Sequence, residues 1–185
     1  MIQTILFALW FFWPAGSANS APILANNIPY LRKHNTPLDF GKSFRGKRIF
    51  GDHKTWRGLG AGIANGLLIG VVQWLLASNI DWFAKLSTTI DYTDPAVIIF
   101  GGLLGFGALA GDAIKSFFKR QLGVPSGHSW FPFDQTDFII GGILVSLPFI
   151  HLSFTDYLTV FVVYALLHPV ANIIGWLLKL KPRPF

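Results

Sequence analysis

Cysteine and glutamate are absent from this 185-residue chain, and only 13% of its residues are charged. Without cysteine, disulfide bonds and thiolate chemistry are excluded. Soluble domains carry about 25% charged residues, so a chain that is 52% hydrophobic indicates an integral membrane protein. Its length predicts a single domain over residues 1–185. The net charge of +6 does not indicate a nucleic-acid partner, because the basic residues flank apolar segments and favour a lipid bilayer surface and anionic ligands.

Five apolar segments predict an all-α integral membrane protein with about five transmembrane helices and two functional cytoplasmic loops. A helix needs about 20 mainly apolar residues to cross a bilayer. The predicted spans cover about residues 2–25, 58–80, 95–118, 138–155 and 157–178, and the cytoplasmic loops cover 26–57 and 119–137. The first segment also has small residues at 15–21 that suit signal-peptide cleavage. It lacks a basic n-region, however, so we expect a retained helix.

The basic residues predict how these helices are oriented. With five spans, 14 of the 15 Lys and Arg residues fall on one side of the membrane, and Lys85 is left on the other. Cytoplasmic loops carry an excess of Lys and Arg. We therefore expect a multi-pass protein of the cell membrane, with its N-terminus outside and its C-terminus and both basic loops in the cytoplasm.

Small residues recur along the second and third spans at helical spacing. They are Gly58, Gly62, Gly66 and Gly70 in the second span, and Gly101, Gly105 and Ala108 in the third. Small residues at this spacing let helix backbones approach closely, so we expect the two spans to pack tightly. Packing does not explain Asp112, which ends the small-residue face of the third span.

The third span carries charge at its cytoplasmic end. Continued as a helix, it places Asp112, Ser116 and Lys119 at positions i, i+4 and i+7 on one face. Asp134 and Asp137 are spaced i, i+3 at the start of the fourth span, so their side chains can point the same way. Three carboxylates would repel one another unless they shared a divalent cation. All-oxygen ligation favours Mg²⁺, Mn²⁺ or Ca²⁺ over zinc.

The alternative is that these aspartates are structural. Asp112 would then pair with Lys115 or Lys119, and the other two would cap the fourth span. Asp112 lies inside an apolar span, where a bare ion pair is costly. The three aspartates together therefore favour a metal-assisted phosphate site.

The first cytoplasmic loop supplies cations at the entry to the second span. The stretch from Gly51 to Gly58 contains Lys54, Thr55 and Arg57, and a helix start offers backbone N–H groups to phosphate. It is not a Walker A loop, and the alternative is anchoring of a basic loop on the membrane surface. Asn19 is a polar residue within the first span. It must find a partner inside the protein, either a ligand or a neighbouring helix.

Four stretches of the chain together carry a family resemblance. They are Ala18-Asn19-Ser20-Ala21-Pro22, Pro37-Leu38-Asp39-Phe40-Gly41, the stretch from Gly51 to Gly58, and the run from Gly111 to Asp137. In this order they resemble the archaeal CDP-archaeol synthase family, and the last run also resembles the signature of phosphatidate cytidylyltransferases. Gln135 stands where the bacterial signature has arginine, and Pro125-Ser126-Gly127 replaces a longer stretch containing Lys-Asp. Both departures favour the archaeal branch.

The resemblance implies a CTP-dependent lipid-phosphate cytidylyltransferase. The implied substrates are CTP and an isoprenoid ether-lipid phosphate, 2,3-di-O-geranylgeranylglyceryl phosphate, with Mg²⁺ as cofactor and Mn²⁺ as a substitute. The expected catalytic residues are Asp112, Lys119, Arg120, Asp134 and Asp137, of which the three aspartates are the expected metal ligands. The expected nucleotide- and phosphate-binding residues are Asn19, Asp52, Lys54, Thr55, Arg57, Lys115, Ser116, Ser126, Gly127 and Gln135.

Other functions fit parts of the sequence. One alternative is a phosphatidate cytidylyltransferase that acts on ester lipids. Pro125-Ser126-Gly127-His128 matches one motif of type 2 phosphatidic acid phosphatases, but the two partner motifs of those enzymes do not occur in the chain. Intramembrane charge also suits an ion-coupled transporter, although here the charges cluster at one edge of the bundle. The sequence leaves the oligomeric state open.

Overall fold

The computed structural model describes residues 2–125, 128, 130–177 and 179. In this part the chain forms eight helices and one short hairpin. The elements are α1 Ile2–Ala18, α2 Ala21–Asn27, α3 Pro29–Arg32, β1 Ser43–Phe44, β2 Lys47–Arg48, α4 Trp56–Asn79, α5 Asp81–Ala84, α6 Ala96–Gln121, α7 Phe133–Ser146 and α8 Phe154–Leu177. The predicted helical architecture is confirmed. The antiparallel pairing of β1 with β2 lies in the first loop, for which the sequence predicts no element.

Three helices of the described chain are long and apolar enough to cross a membrane: α4, α6 and α8. They correspond to the predicted spans 58–80, 95–118 and 157–178. α1 has 17 residues and α7 has 14, fewer than the roughly 20 that a perpendicular span needs. The number of five spans therefore stays a prediction.

The first predicted segment, 2–25, is two helices rather than one. α1 ends at Ala18 and α2 begins at Ala21, with Pro22 in its first turn. Pro22 has no N–H for the helical bond to the carbonyl of Ala18, and its ring would clash with that carbonyl. The break places Asn19 between the two helices.

The fourth predicted segment, 138–155, is also shorter in the structure. α7 begins five residues earlier, at Phe133, and ends at Ser146. Pro148 follows closely and has no N–H with which to continue the helical ladder. The earlier start includes Asp134 and Asp137 in the first turns of α7, so the helix itself fixes their spacing.

Aromatic side chains hold α1 in the centre of the bundle. Phe11 and Phe12 are almost fully buried. Phe11 contacts Phe100 of α6, with ring centroids 6.0 Å apart. Phe12 contacts Phe138 of α7 at 6.4 Å and the ring of Tyr164 of α8 edge-on at 5.0 Å. Because α1 contacts the helices that carry the charged residues, it helps to fix their relative positions.

Glycine sets the distance between the helices that carry the charged residues. A Cβ at Gly66 of α4 would strike the carbonyl of Gly101 of α6, which confirms the predicted close packing of these two helices. Gly111 of α6 makes a similar approach to α7. A Cβ there would lie against the Asp137 carbonyl and 3.0 Å from the Cα of Gly141. The backbones of α6 and α7 therefore touch beside the charged residues.

Candidate active site

The charged residues of α6 and α7 meet at the ends of the two helices. Lys115 of α6 lies at their centre, with its Nζ 3.1 Å from Asp112 Oδ1, 2.6 Å from Asp134 Oδ1 and 2.8 Å from Asp137 Oδ2. The structure thus brings together the three aspartates that the sequence proposes as metal ligands. It also places a lysine ammonium among them, which the spacing of the carboxylates does not reveal.

Two further lysines complete this cluster. Lys119 Nζ lies 3.1 Å from Asp134 Oδ2, and Lys54 forms an ion pair with Asp112. Lys54 precedes α4, so this contact joins the first loop to α6 across 58 residues of sequence. We call the six side chains the lysine–aspartate cluster: Asp112, Asp134, Asp137, Lys54, Lys115 and Lys119.

As the side chains stand, no three His or Asp residues of the described chain form a group that could hold a metal ion. The ammonium of Lys115 lies instead where the three carboxylates converge. The sequence also allows a purely structural role for these aspartates, in which Asp112 pairs with Lys115. The structure contains that ion pair. The metal role of the aspartates stays a prediction.

A cavity of about 250 Å³ adjoins the cluster on the side of the first loop. Its polar lining includes Asn19, His53, Lys54, Thr55 and Asp112. Asn19 reaches this cavity because the chain breaks between α1 and α2. Three of the residues proposed to bind nucleotide or phosphate therefore share one cavity with a proposed metal ligand.

Thr55 and Ser116 have local structural partners. The side chain of Thr55 caps α4 by accepting a hydrogen bond from the N–H of Gly58 at 3.1 Å. Such a cap contributes about 1 kcal/mol to helix stability. Ser116 Oγ donates to the carbonyl of Asp112 at 2.9 Å. In these contacts each hydroxyl forms a hydrogen bond with the backbone of its own helix.

Two other proposed nucleotide-binding residues have their partners outside the cluster. Arg57 donates to the carbonyl of Leu31 at 3.3 Å and to Asn26 Oδ1 at 3.1 Å, so it ties α4 to α2 and α3. Asp52 is exposed and pairs with Arg48 at 2.6 Å. In the structure these contacts give Arg57 and Asp52 positions outside the cluster.

Arg120 and Gln135 carry polar atoms that the protein leaves unpaired. Among the described residues, the buried Nε of Arg120 and Oε1 of Gln135 have no hydrogen-bond partner. Arg120 also donates to the carbonyl of Pro125 at 3.4 Å. Unpaired buried polar atoms are uncommon and call for an explanation, and a bound ligand is one. The remaining proposed residues, Ser126 and Gly127, lie outside the described residues.

The first loop is organised by the buried carboxylate of Asp39, which belongs to one of the motifs of the family resemblance but has no role predicted from the sequence. Asp39 Oδ1 accepts from Arg48 Nη2 at 2.7 Å and from the N–H of Gly41 at 3.0 Å. Its Oδ2 accepts from the N–H groups of Phe50 and Gly51 at 2.9 and 3.0 Å. An Asp followed two residues later by Gly is typical of a turn, so the sequence predicts a turn at this position but not the longer-range bonds of Asp39. Asp39 thereby holds the loop that presents Lys54.

The hydrogen bonds around Asp39 predict how the loop responds to pH. Burial alone would raise the pKa of Asp39, but hydrogen bonds from Arg48 and backbone N–H groups outweigh burial and hold this pKa well below its ordinary range. The folded pKa therefore lies below the unfolded value of about 3.9. Asp39 contributes its full stability above that value and loses it progressively as the pH falls below it.

We expect Asp39→Asn to lower the free energy of unfolding by about 2 kcal/mol at pH 7, because a charged hydrogen-bond acceptor is removed from a buried position. Thermal unfolding in detergent between pH 7 and pH 3 measures the effect. The difference from the unsubstituted protein should shrink below about pH 4. Asp52→Asn, which removes the exposed partner of Arg48, should change stability by less than about 0.5 kcal/mol. Equal losses from the two substitutions would contradict the role of Asp39.

Comparison with known proteins identifies one family. A model of the family described as CarS-like, CDP-archaeol synthase, matches residues 1–185. The CDP-archaeol synthase of Pyrococcus furiosus is 36% identical over 185 residues, with 100% of both chains covered. That of Methanospirillum hungatei is 37% identical over 169 residues, covering 88% of this chain and 97% of the relative. A solved structure of an intramembrane enzyme for archaeal membrane lipids biosynthesis has a TM-score of 0.73 and 32% identity, and the match covers 91% of this chain and 94% of that one. The chain therefore belongs to the CDP-archaeol synthase family.

Proposed function

We propose that the protein transfers CMP from CTP to 2,3-di-O-geranylgeranylglyceryl phosphate, an archaeal ether-lipid phosphate, to give a CDP-archaeol-type lipid and pyrophosphate. Family membership supports cytidylyl transfer in archaeal lipid biosynthesis and disfavours the phosphatase and transporter alternatives. The observation that carries the proposal is the lysine–aspartate cluster at the adjoining ends of α6 and α7. It offers carboxylates for a metal and ammonium groups for phosphates in one place.

The chemistry requires little beyond positioning and charge neutralisation. An oxygen of the lipid phosphate attacks the α-phosphorus of CTP and forms the new P–O bond. The bond from the α-phosphorus to the bridging oxygen breaks, and pyrophosphate leaves with the electron pair. A lipid phosphate carries roughly −1.5 to −2 charges at pH 7, so it needs no base to become a nucleophile. The difficulty is to bring two polyanions together, which fixed cations in a partly dry site address.

Mg²⁺, or Mn²⁺ in its place, fits the donor set of the cluster. Asp112, Asp134 and Asp137 supply carboxylate oxygens, which hard divalent cations prefer. All three lie within 3.1 Å of the Lys115 ammonium, so a positive charge already occupies the point at which they converge. The three aspartates would hold the metal. Bound there, a divalent cation would neutralise charge on the phosphoryl oxygens.

The cations around the cluster are proposed to hold phosphates. Lys54 lines the cavity that also contains Asn19 and Thr55, which suits the nucleotide. Lys119 and Arg120, in the last turn of α6, would meet the phosphates from the other side. The unpaired buried atoms of Arg120 and Gln135 support this placement, because a ligand would satisfy them.

An apolar crevice gives the lipid a route to the same cluster. A cavity of about 190 Å³ runs along α6 and α7, and its lining includes Lys115 and Asp137 at one end. Ile114, Ile140 and Leu144 continue it as an apolar surface. A phosphate at the charged end with its hydrocarbon chains along the apolar end would match this lining. The crevice therefore supports a lipid phosphate as the acceptor.

The proposed topology places the cluster at the cytoplasmic edge of the membrane, with the N-terminus outside. The distribution of basic residues supports this orientation. The absence of cysteine makes single cysteines clean probes of it. Thr88→Cys should react with a membrane-impermeant thiol reagent on intact cells, and Lys42→Cys only after permeabilisation; both positions are exposed. The reverse pattern would contradict the orientation.

The reaction is tested with purified protein in detergent, labelled CTP and Mg²⁺. The geranylgeranyl ether-lipid phosphate and phosphatidic acid are compared, each with and without EDTA. We expect a labelled CDP-lipid from the ether lipid, at a rate that EDTA abolishes. Faster product formation from phosphatidic acid would assign an ester-lipid substrate instead. A folded protein that forms no product from either lipid would refute the proposed reaction.

A further inference from the structure

The lysine–aspartate cluster balances its own charge. Three lysines face three aspartates, and the six side chains are only 5–23% exposed. Each aspartate has at least one lysine ammonium as an ion-pair partner. Removing one partner of a buried pair is costly because it leaves an uncompensated charge. The six side chains together are therefore close to electrostatic neutrality.

Lys115 has a different position from the other two lysines. Lys54 contacts Asp112 and Lys119 contacts Asp134, whereas Lys115 contacts all three aspartates. A divalent cation shared by the carboxylates would need the space that this ammonium fills. The cation must therefore displace Lys115, and its two charges would then add to a site that is already neutral.

CTP changes this balance because its phosphates bring several negative charges. An ammonium group displaced from the carboxylates can then pair with a phosphate oxygen, as lysine commonly does. The lysine stem is flexible enough to move between the two positions. A metal that arrives with the nucleotide leaves no uncompensated charge, whereas a metal that arrives alone does.

We propose that Lys115 is an internal counter-cation that excludes the divalent metal from the nucleotide-free site and releases the three aspartates when CTP enters. The metal then binds with the nucleotide rather than before it. This inference rests on the proposed function and adds to it the order in which metal and nucleotide bind. The effect of Lys115 on metal binding is measurable without turnover.

The experiment measures Mn²⁺ binding by equilibrium dialysis of the purified protein in detergent, without a lipid acceptor, at fixed free Mn²⁺ concentrations. The unsubstituted protein should bind Mn²⁺ on the order of tenfold more tightly with CTP than without it, a coupling of ordinary size. Lys115→Gln removes the charge but keeps a hydrogen-bond donor for the carboxylates. It should tighten nucleotide-free Mn²⁺ binding by on the order of tenfold and reduce the effect of CTP.

Two variants separate this role from a general effect of losing a lysine. Lys115→Arg keeps the charge and should keep the weak nucleotide-free binding. Lys85→Gln removes an exposed lysine that pairs with Asp81 at 3.4 Å outside the cluster, and it should leave Mn²⁺ binding unchanged. If Lys115→Gln does not fold in detergent, Lys115→Met removes the same charge and keeps the length of the side chain, and it should tighten nucleotide-free Mn²⁺ binding in the same way.

Equal Mn²⁺ affinity with and without CTP, in a protein that forms CDP-lipid, would overturn the inference and leave the proposed function intact. Nucleotide-free binding by Lys115→Gln that is no tighter than that of the unsubstituted protein would also overturn it. Failure of the proposed function has a different signature: the unsubstituted protein would form no product from either lipid and would bind no Mn²⁺ even with CTP.

Discussion

Replacing Asp134 by asparagine is expected to lower turnover on the order of 10³-fold, the upper range for loss of one charge-stabilising group in an active site. Asp134 faces both Lys115 and Lys119, and it is proposed to bind the metal. An asparagine amide has nearly the same shape but no negative charge. It can still accept the hydrogen bond that Trp130 N–H now donates to the carboxylate, so the start of α7 should be retained. CDP-lipid formation at saturating CTP and Mg²⁺ measures the loss.

Asp81→Asn is the matched control for this substitution. Asp81 also pairs with a lysine, but it is exposed and lies in α5, outside the cluster. Its replacement should leave turnover unchanged. Both variants should elute as the unsubstituted protein does in size-exclusion chromatography, but Asp134→Asn should unfold at a lower temperature, because Lys115 and Lys119 lose a carboxylate partner. If a folded Asp134→Asn protein retains near-normal turnover, Asp134 does not bind the metal.

Local sequence patterns predict the main helices and the position of two carboxylates on one helix. Apolar stretches of about 20 residues predicted α4, α6 and α8, which the structure contains at nearly the expected positions. The i, i+3 spacing of Asp134 and Asp137 requires only that both belong to one helix, and they do. These predictions succeed because they depend on periodicity within a single element.

Contacts between elements could not be predicted in the same way. Lys115 is three residues from Asp112, which suggests one ion pair. Its contacts with Asp134 and Asp137 depend on how α7 lies along α6. Arg57 stands at a helix start, which predicts a phosphate contact, and that role stays a prediction. Its hydrogen bond to Asn26 could not be foreseen in this way, because it depends on the break before Pro22, which sets α2 against α4.

The hydrogen bonds that fix the first loop could not be predicted from the sequence either. One carboxylate, Asp39, accepts hydrogen bonds from groups up to 12 residues away and so fixes the loop. Lys47 and Gln121 then tie the hairpin to the end of α6, since Lys47 Nζ donates to the Gln121 carbonyl at 2.6 Å. No periodic pattern marks such bonds, because they join irregular backbone to a helix end.

The contact between α6 and α7 at Gly111 yields the second large expected effect. Gly111→Ala would place a methyl group against the carbonyl of Asp137 and the Cα of Gly141. Both are backbone atoms, so a side-chain rotation cannot relieve the clash and the helices must separate. Overpacking of this kind costs about 1–3 kcal/mol. A displacement of about 1 Å in a catalytic arrangement can cost on the order of 10²-fold in rate. We therefore expect a loss of about that size in CDP-lipid formation, although every charged residue is retained.

Gly60→Ala makes the same chemical change at a position of α4 where no atom of another helix lies within 4 Å of the added methyl group. It should preserve turnover and raise helix stability by up to about 1 kcal/mol, because alanine favours a helix more than glycine does. Comparing Gly111→Ala with Gly60→Ala therefore distinguishes the effect of moving α6 away from α7 from the general effect of adding a methyl group to a helix. If Gly111→Ala were as active as Gly60→Ala, close contact of the two backbones would not be needed to align the carboxylates. The lysine–aspartate cluster would then have to form through its ion pairs alone.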